Sequence, residues 1–179
     1  LYSLEYSPNT IPVLEQHRVF GVVVPPAALY VSQLLYTAAD FAEQRRVALS
    51  DVNFIAPMHL GVVASAHEAR AVQIRYSVTN ETTSIELSSQ PADMRLSGQA
   101  GGKDKAAKQV QVHVSADLVP DAVNEAVKVD MDALRQRCSE SLAPRVIESH
   151  MATMQVELGE SFLCFKSIHR GVNEALTLL

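Results

Sequence analysis

Polar and hydrophobic residues alternate in several short stretches of the chain, a period of two that predicts β-strands. Two strands are predicted near the start, one at residues 1–6 and one at residues 18–24, which are β-branched and mostly apolar and include Gly21. A glycine within a strand often marks a bulge or a close approach of another backbone. Further strands are predicted at residues 47–60, 71–79, 80–90 and 108–118, the middle two forming a hairpin through the turn at 79–82.

From Pro26 the apolar period changes to 3.6 residues, which predicts a helix over residues 26–44. Proline suits the first turn of a helix, because the N–H that it lacks would be unpaired there anyway. Nearly every position up to Leu35 is apolar or small, so we expect most of this helix to be buried. Two strands, a buried helix and then antiparallel strands predict an α+β fold in which a sheet wraps around one helix.

The character of the sequence changes after residue 118. The following stretch is acidic, contains two prolines and offers one short helix at 130–138. Earlier in the chain, a glycine- and lysine-rich loop at 98–108 separates the strands predicted at 80–90 and 108–118. A helix at 146–158 and two strands joined by a turn at 170–173 follow. We therefore divide the chain into an N-terminal subdomain, a linker and the start of a second, incomplete subdomain, at residues 1–118, 119–148 and 149–179.

Composition narrows the classes of function. A net charge of −5 and a pI near 5.6 argue against a nucleic-acid partner, since phosphate contacts need a basic surface. The sequence contains no run of about 20 apolar residues and no secretory signal at its start, although it also lacks an initiator methionine. Two cysteines in different settings, Cys138 and Cys164, are typical of a reduced, cytoplasmic protein and are interpreted as structural.

The best candidate for chemistry is His17, which precedes the glycine-containing strand and the proline-initiated helix. The N-terminus of a helix carries unpaired N–H groups and partial positive charge, so a carbonyl oxygen placed there would be polarised. An imidazole, with an ordinary pKa of about 6.5, could then remove a proton α to that carbonyl. The residues alone leave the alternative open that His17 is an ordinary residue at the end of a strand.

The other histidines are interpreted as structural or solvated. His113 alternates with valines and by strand parity should point away from their face. No pair of histidines has the spacing of metal ligands, so no metal is expected. The remaining ones stand alone or lie near a turn: His59, His67, His150 and His169.

His17, Gly21 and Pro26 together have the form HxxxGxxxxP, and the sequence around them resembles the dehydratase domains of modular polyketide synthases. The resemblance continues through "VQVHVSADL", where such domains usually carry a histidine, here His113. It extends through "VDMDALRQRCSE", which is similar to their inter-subdomain linker, and through residues 157–179, which are similar to the start of their second half. It therefore covers essentially the whole chain.

The resemblance implies a double hotdog: two sheets, each wrapped around a central helix, with one active site between them. It implies that His17 removes the α-proton of a 3-hydroxyacyl group and that Gly21 and Pro26 shape the carbonyl-binding turn. An aspartate in a DxxxQ or DxxxH motif would protonate the departing hydroxyl. No cofactor is expected, because the phosphopantetheine arm of an acyl carrier protein carries the substrate. Neighbouring synthase domains and a homodimer are the other expected partners.

Two departures from the family pattern keep other interpretations open. Residues 149–179 contain no aspartate, and the family's GYGP motif falls on residues 157–160, which keep only Gly159. A dehydratase-like domain that branches, isomerises or cyclises carrier-bound intermediates is therefore the second hypothesis. The third is a hotdog-fold binding or dimerisation module in which His17 is incidental.

Overall fold

The fold is described from a computed structural model, at residues 1–61, 68–79, 81–92, 110–120, 128–143 and 145–179. The predicted loop at 98–108, residues 121–127 of the predicted linker, and His67 lie outside the described residues. The described chain forms two compact units, one comprising Leu1–Glu15 and Val22–Val123 and the other Gln16–Gly21 and Asn124–Leu179. The domain boundaries proposed at 118 and 149 stay predictions.

The regular elements of the described residues are strands, three α-helices and two 3₁₀ turns. The strands are β1 (Tyr2–Tyr6), β2 (His17–Val19), β3 (Val22–Val23), β4 (Val47–Phe54), β5 (Arg70–Val78), β6 (Thr83–Pro91), β7 (Gln111–Pro120), β8 (Glu140–Leu142), β9 (Val156–Leu158), β10 (Ser167–Arg170) and β11 (Ala175–Leu178). The helices are α1 (Ala27–Phe41), α2 (Met131–Arg137) and α3 (Arg145–Thr153), with 3₁₀ turns at Pro12–Gln16 and Glu160–Phe162.

The first unit is built on a five-stranded sheet in the order β1-β5-β6-β7-β4, in which every neighbouring pair is antiparallel. The predicted hairpin is confirmed: β5 and β6 pair from Arg70↔Pro91 to Val78↔Thr83. Alternation of β-branched and polar residues explains these strands, because side chains of period two place one apolar set on one face.

Helix α1 lies against this sheet and its buried residues join one core. Tyr30, Leu34 and Ala38 pack in a cluster with residues of β5, β6 and β7, among them Ile74 and Leu87. The prediction of a helix after Pro26 is confirmed, but the expectation that most of it is buried is wrong. Four of its positions are buried (Tyr30, Leu34, Thr37 and Ala38), while Tyr36 is 76% exposed, because one sheet face covers only one stripe of a helix.

The second unit contains a three-stranded antiparallel sheet in the order β11-β10-β8, and the predicted turn at 170–173 joins β10 to β11. Helix α2 begins at an Asp130 cap, whose carboxylate accepts hydrogen bonds from the N–H groups of Asp132 and Ala133. The predicted helix at 146–158 is too long, because α3 ends at Thr153 and Gln155 has a positive φ of 57°, which turns the chain into β9. The sequence predicts that the strand before the turn at 170–173 covers residues 159–171, but in the structure this strand, β10, begins only at Ser167.

The segment 18–24 is two short strands and not one. Phe20 and Gly21 both have positive φ, 53° and 72°, so the chain reverses between β2 and β3. A Cβ atom at Gly21 would meet no atom within 4 Å among the described residues. Glycine is therefore favoured here by backbone conformation, and the expected bulge or close backbone approach is wrong.

Among the helices of the described residues, none combines the length and the apolar character that crossing a lipid bilayer demands.

Candidate functional site

His17 is the first residue of β2 and is half-buried in the second unit. Strand β2 pairs antiparallel with β9, so that His17 lies opposite Leu158 and Arg18 opposite Glu157. The His17 imidazole contacts the ring of Phe162, with 5.5 Å between ring centroids and a tilt of 60°. The base proposed from the sequence is thus held on a paired strand with an aromatic ring on one side.

The residue before His17 ties this strand to the turn that follows β9. The Gln16 carbonyl accepts a hydrogen bond of 2.8 Å from the Gly159 N–H, and the Gln16 side-chain Oε1 accepts one of 2.8 Å from the Ser161 N–H. A Cβ atom on Gly159 would lie 2.7 Å from Gln16 Cβ and 2.7 Å from its Oε1. Gly159, the glycine that remains of the family's GYGP motif, therefore leaves the space that Gln16 occupies.

An ion pair crosses the same strands one residue further along. Arg18 Nη1 lies 3.9 Å from Glu157 Oε2, and the Glu157 side chain is 63% exposed. A pair this long and this exposed contributes little to stability. Its consequence is local: the carboxylate of Glu157 has a cationic partner.

Gly21 and Pro26 fall in different units of the structure. Gly21 closes the turn after β2 and belongs to the unit of His17, whereas Pro26 belongs to the other unit and is the N-cap residue of α1. The N-cap residue Pro26 makes no side-chain capping hydrogen bond to the first N–H groups of α1, and the first turn of α1 holds no acidic residue. That helix end can therefore offer N–H donors and a partial positive charge to an oxygen atom.

His113 is fully buried and hydrogen-bonded, and strand parity placed its side chain wrongly. Leu87 lies opposite Val114 and Ser88 opposite Val112, so His113 is the additional residue of a β-bulge in β7. The bulge lets His113 and Val114, which are consecutive, both be fully buried. The His113 ring stacks on Tyr30, with 6.2 Å between centroids.

The hydrogen bonds of His113 determine which nitrogen carries the proton. Its Nδ1 lies 2.9 Å from the Ala56 carbonyl, which can only accept, so Nδ1 is the N–H donor. Its Nε2 then accepts from the Ser89 hydroxyl at 2.8 Å, and Ser89 Oγ in turn accepts from Arg70 Nε at 3.1 Å. Burial, with the charge of Arg70 as a smaller cause, lowers the pKa of His113 and keeps it neutral.

Tyr30 completes the surroundings of His113. Its hydroxyl accepts a hydrogen bond of 3.3 Å from the Met58 N–H, and burial raises the pKa of Tyr30 to about 12. His113 and Tyr30 thereby hold the segment after β4 at Ala56 and Met58. The same segment then pairs with β3, since Val23 exchanges backbone hydrogen bonds with Leu60 and Gly61.

The remaining described histidines and the two cysteines differ in their exposure. His59 and His150 are exposed, and His169 is half-buried on β10. Cys138 is buried at the end of α2. The apolar run around Cys164 predicts a strand there, and this prediction is wrong, because Cys164 is exposed and lies outside any strand. Within the ranges that the structure describes, no three His, Cys, Asp or Glu side chains come together in a way that could hold a metal ion.

Sequence reasoning missed Gln16 and Phe162. Their contacts join residues that are 145 positions apart in the chain, as for Gln16 and Ser161, and no local pattern records such a pair. The one sequence feature that could have indicated the Gln16 contact is Gly159, the glycine retained from the family's GYGP motif.

The sequence matches the model of one known protein family. The family model described as the polyketide synthase dehydratase domain matches residues 1–90. No protein with a curated description matches the chain.

Solved structures similar to the chain are dehydratase domains. The domain from the CurF module of the curacin polyketide synthase has a TM-score of 0.80 at 18% identity, over 98% of this chain and 58% of that one. The domain from the CurJ module has a TM-score of 0.77 at 22% identity, over 98% and 55%. A trans-AT polyketide synthase dehydratase domain from Brevibacillus brevis has a TM-score of 0.74 at 19% identity, over 98% and 61%.

The chain therefore spans somewhat more than half the length of these structures and shares their α+β hotdog fold. Since the family model covers half of the sequence, the chain belongs to the polyketide synthase dehydratase domain family.

Proposed function

We propose that the protein removes water from a 3-hydroxyacyl thioester and that His17 is the base. The observation that supports the proposal is the placement of His17, the histidine of the HxxxGxxxxP motif: it lies on a strand paired with β9 and beside the ring of Phe162. A base and a polarising group for the thioester carbonyl are the minimum that enolate-type chemistry requires.

The reaction balances without a cofactor. His17 takes the α-proton, the electrons of that C–H bond form the α,β double bond, and the β-hydroxyl leaves as water after an acid protonates it. Residues 149–179 contain no aspartate, so the acid is expected from a residue of the native polypeptide outside this stretch. Two variants of the CurK dehydratase, one with a histidine replaced and one with an aspartate replaced, are described as inactive, which supports a histidine and aspartate pair in that protein.

The partners follow from the substrate. An acyl carrier protein would present the acyl group on its phosphopantetheine arm, and neighbouring synthase domains would supply and consume it. A homodimer in the cytoplasm is the expected setting. These partners are part of the proposal.

A second candidate function is favoured by residues 157–160. Where dehydratases carry GYGP, this chain has Glu157, Leu158, Gly159 and Glu160, and Glu157 is paired with Arg18 on the strand of His17. Glu157 thus takes the place of the motif's first glycine and Leu158 that of its aromatic residue. The loss of both suits a domain that branches, isomerises or cyclises a carrier-bound intermediate without releasing water.

The experiment offers the native polypeptide that contains residues 1–179 a 3-hydroxyacyl carrier-protein thioester and follows loss of water by mass spectrometry. We expect the enoyl product, and a rate lower by about 10²- to 10⁴-fold in His17→Ala, because that is the usual contribution of a general base. His150→Ala removes an exposed imidazole and serves as the matched control, with an unchanged rate expected.

The results separate the candidates. An undiminished rate in His17→Ala would refute the base assignment. A wild-type protein that binds the acyl carrier yet changes only double-bond position or ring closure would support the second candidate. A wild-type protein that binds no carrier thioester would leave a hotdog-fold interaction module as the answer.

A further inference from the structure

We propose that Gln16 is a positioning residue for His17: its side chain caps the 3₁₀ turn Glu160–Phe162 and so holds the Phe162 ring against the imidazole. The inference rests on the proposed function only for its effect on turnover. The geometric claim, that Gln16 sets the environment of His17, stands on contacts within the second unit.

Backbone hydrogen bonds position the strand that carries His17. Strands β2 and β9 pair through His17↔Leu158, and the pairing is extended at both ends by the hydrogen bonds from Gly159 N–H to Gln16 O and from Phe20 N–H to Gln155 O, each 2.8 Å. These bonds fix where the His17 backbone lies. They do not fix the ring that contacts its side chain, because Phe162 lies beyond the end of β9.

The Gln16 side chain positions the turn that carries Phe162. The first N–H groups of a 3₁₀ turn have no partner within the turn, and the N-cap residue here is Gly159, which has no side chain to supply one. Gln16 Oε1 supplies the missing acceptor from another strand by bonding the Ser161 N–H at 2.8 Å. A glutamine therefore does from a distance what a capping serine or aspartate does locally.

The glycine makes that reach possible. The Cβ, Cγ and Oε1 atoms of Gln16 all lie within 2.8 Å of the position that a Gly159 Cβ would occupy. Gly159 has a φ of −85°, which any residue adopts, so space and not backbone conformation favours glycine here. Gly159 leaves the space that the Gln16 side chain needs, and the position of that side chain explains why a glycine is favoured at residue 159.

The turn ends on the residue that contacts the base. Phe162 is the last residue of the capped turn, its N–H bonds the Gly159 carbonyl at 2.9 Å, and its ring lies 5.5 Å from that of His17. Loss of the Gln16 cap would leave the Ser161 N–H without this partner and loosen the turn. The Phe162 ring would then no longer hold the imidazole in one orientation.

The test compares Gln16→Met, which keeps the length of the side chain but removes the acceptor, with Gln16→Glu, which keeps an acceptor at the same place. The native polypeptide is labelled with ¹³C-histidine, and the Cε1–H resonance of His17 is assigned from its disappearance in His17→Gln. Phe162→Leu gives the resonance position without the aromatic ring. Ser161→Ala, which keeps the N–H, is the matched control.

We expect the His17 resonance of Gln16→Met to move toward its position in Phe162→Leu, and that of Gln16→Glu and Ser161→Ala to stay near the wild-type position. In the dehydration assay, Gln16→Met should lower kcat about tenfold or more with KM within about twofold, because misorientation of a base costs turnover more than binding. A role in folding alone would change the thermal midpoint without this split.

A wild-type resonance in Gln16→Met, or an equal displacement in Gln16→Glu, would overturn the proposal, and so would an unchanged kcat beside a displaced resonance. If Gln16→Met does not fold, Gly159→Ala tests the same point, since its methyl group pushes the Gln16 side chain away without removing any polar group. It should displace the His17 resonance, and an undisplaced one contradicts the inference. If the wild-type protein releases no water but the resonances behave as expected, the dehydratase proposal fails and the placement of His17 by Gln16 stands.

Discussion

At the scale of single residues, His113 connects the sheet, the segment after β4 and α1 through one neutral ring. Its proton is on Nδ1, its Nε2 accepts from Ser89, and its face lies on Tyr30. A buried imidazole that is fully bonded in its neutral form stabilises the fold only while it stays neutral. Protonation would put a second donor opposite the Ser89 hydroxyl and a positive charge near Arg70 and His59.

We therefore predict that His113 makes the fold less stable in acid. Its pKa is lowered in the folded protein, so below about pH 6.5 the unfolded chain binds a proton that the folded chain does not. The free energy of unfolding should then fall by at most about 1.4 kcal/mol per pH unit from this one group. Urea denaturation at several pH values from 7.5 to 5 measures it.

The matched variant for this prediction is His113→Asn, which keeps a donor for the Ala56 carbonyl but has no group that titrates in this range. At pH 7.5 it should be less stable than wild type by about 1–3 kcal/mol, because the Ser89 hydroxyl loses its acceptor. The difference should shrink as the pH falls. Equal pH dependence in both proteins would contradict the assignment, and His150→Ala, which removes an exposed histidine, should behave as wild type.

At the scale of elements, the turn between β2 and β3 places a phenylalanine, Phe20, in a strained backbone conformation that another residue type would adopt more easily. Two successive positive φ angles are required, and only the second is supplied by glycine. Phe20, at φ 53°, pays a backbone cost of about 1–2 kcal/mol in this region. Its side chain is 69% exposed, so little packing offsets that cost.

We predict that Phe20→Asn stabilises the protein by up to about 1 kcal/mol, since asparagine tolerates the left-handed region and Asn-Gly is a preferred pair in such turns. Gly21→Ala should have the opposite effect, of about 1 kcal/mol, although its Cβ would meet no described atom within 4 Å. Thermal unfolding of the two variants beside wild type is the measurement. A stabilising Gly21→Ala or a strongly destabilising Phe20→Asn would show that packing, and not φ, governs this turn.

Elements also show how far the sequence could predict the structure. The period of 3.6 after Pro26 and the alternation in 71–90 are local, and α1 and the β5–β6 hairpin were predicted from them. The bulge at His113 was not, because parity assumes an unbroken ladder and the extra residue is visible only when β6 is paired with β7. The Gln16 contact with Ser161 spans 145 positions and likewise lies beyond any local window.

At the scale of the whole molecule, burial is distributed unevenly between the two units. All fifteen members of the hydrophobic core cluster belong to the first unit. In the second, among its described residues, only Cys138 and Ile168 are buried apolar side chains. Since burial of apolar surface is the main favourable contribution to folding, resistance to opening should be distributed in the same way.

We therefore predict that in the 179-residue chain the amides of β5, β6 and β7 exchange with deuterium most slowly, and that those of β8 and β10 exchange through smaller, local openings. Ile74→Ala, a truncation at a fully buried position, should lower global stability by about 2–5 kcal/mol. It should accelerate exchange in β5–β7 and leave the rates in β8 and β10 nearly unchanged. Equal acceleration in both units would instead mean that they unfold together, and that the small core of the second unit is not what limits its stability.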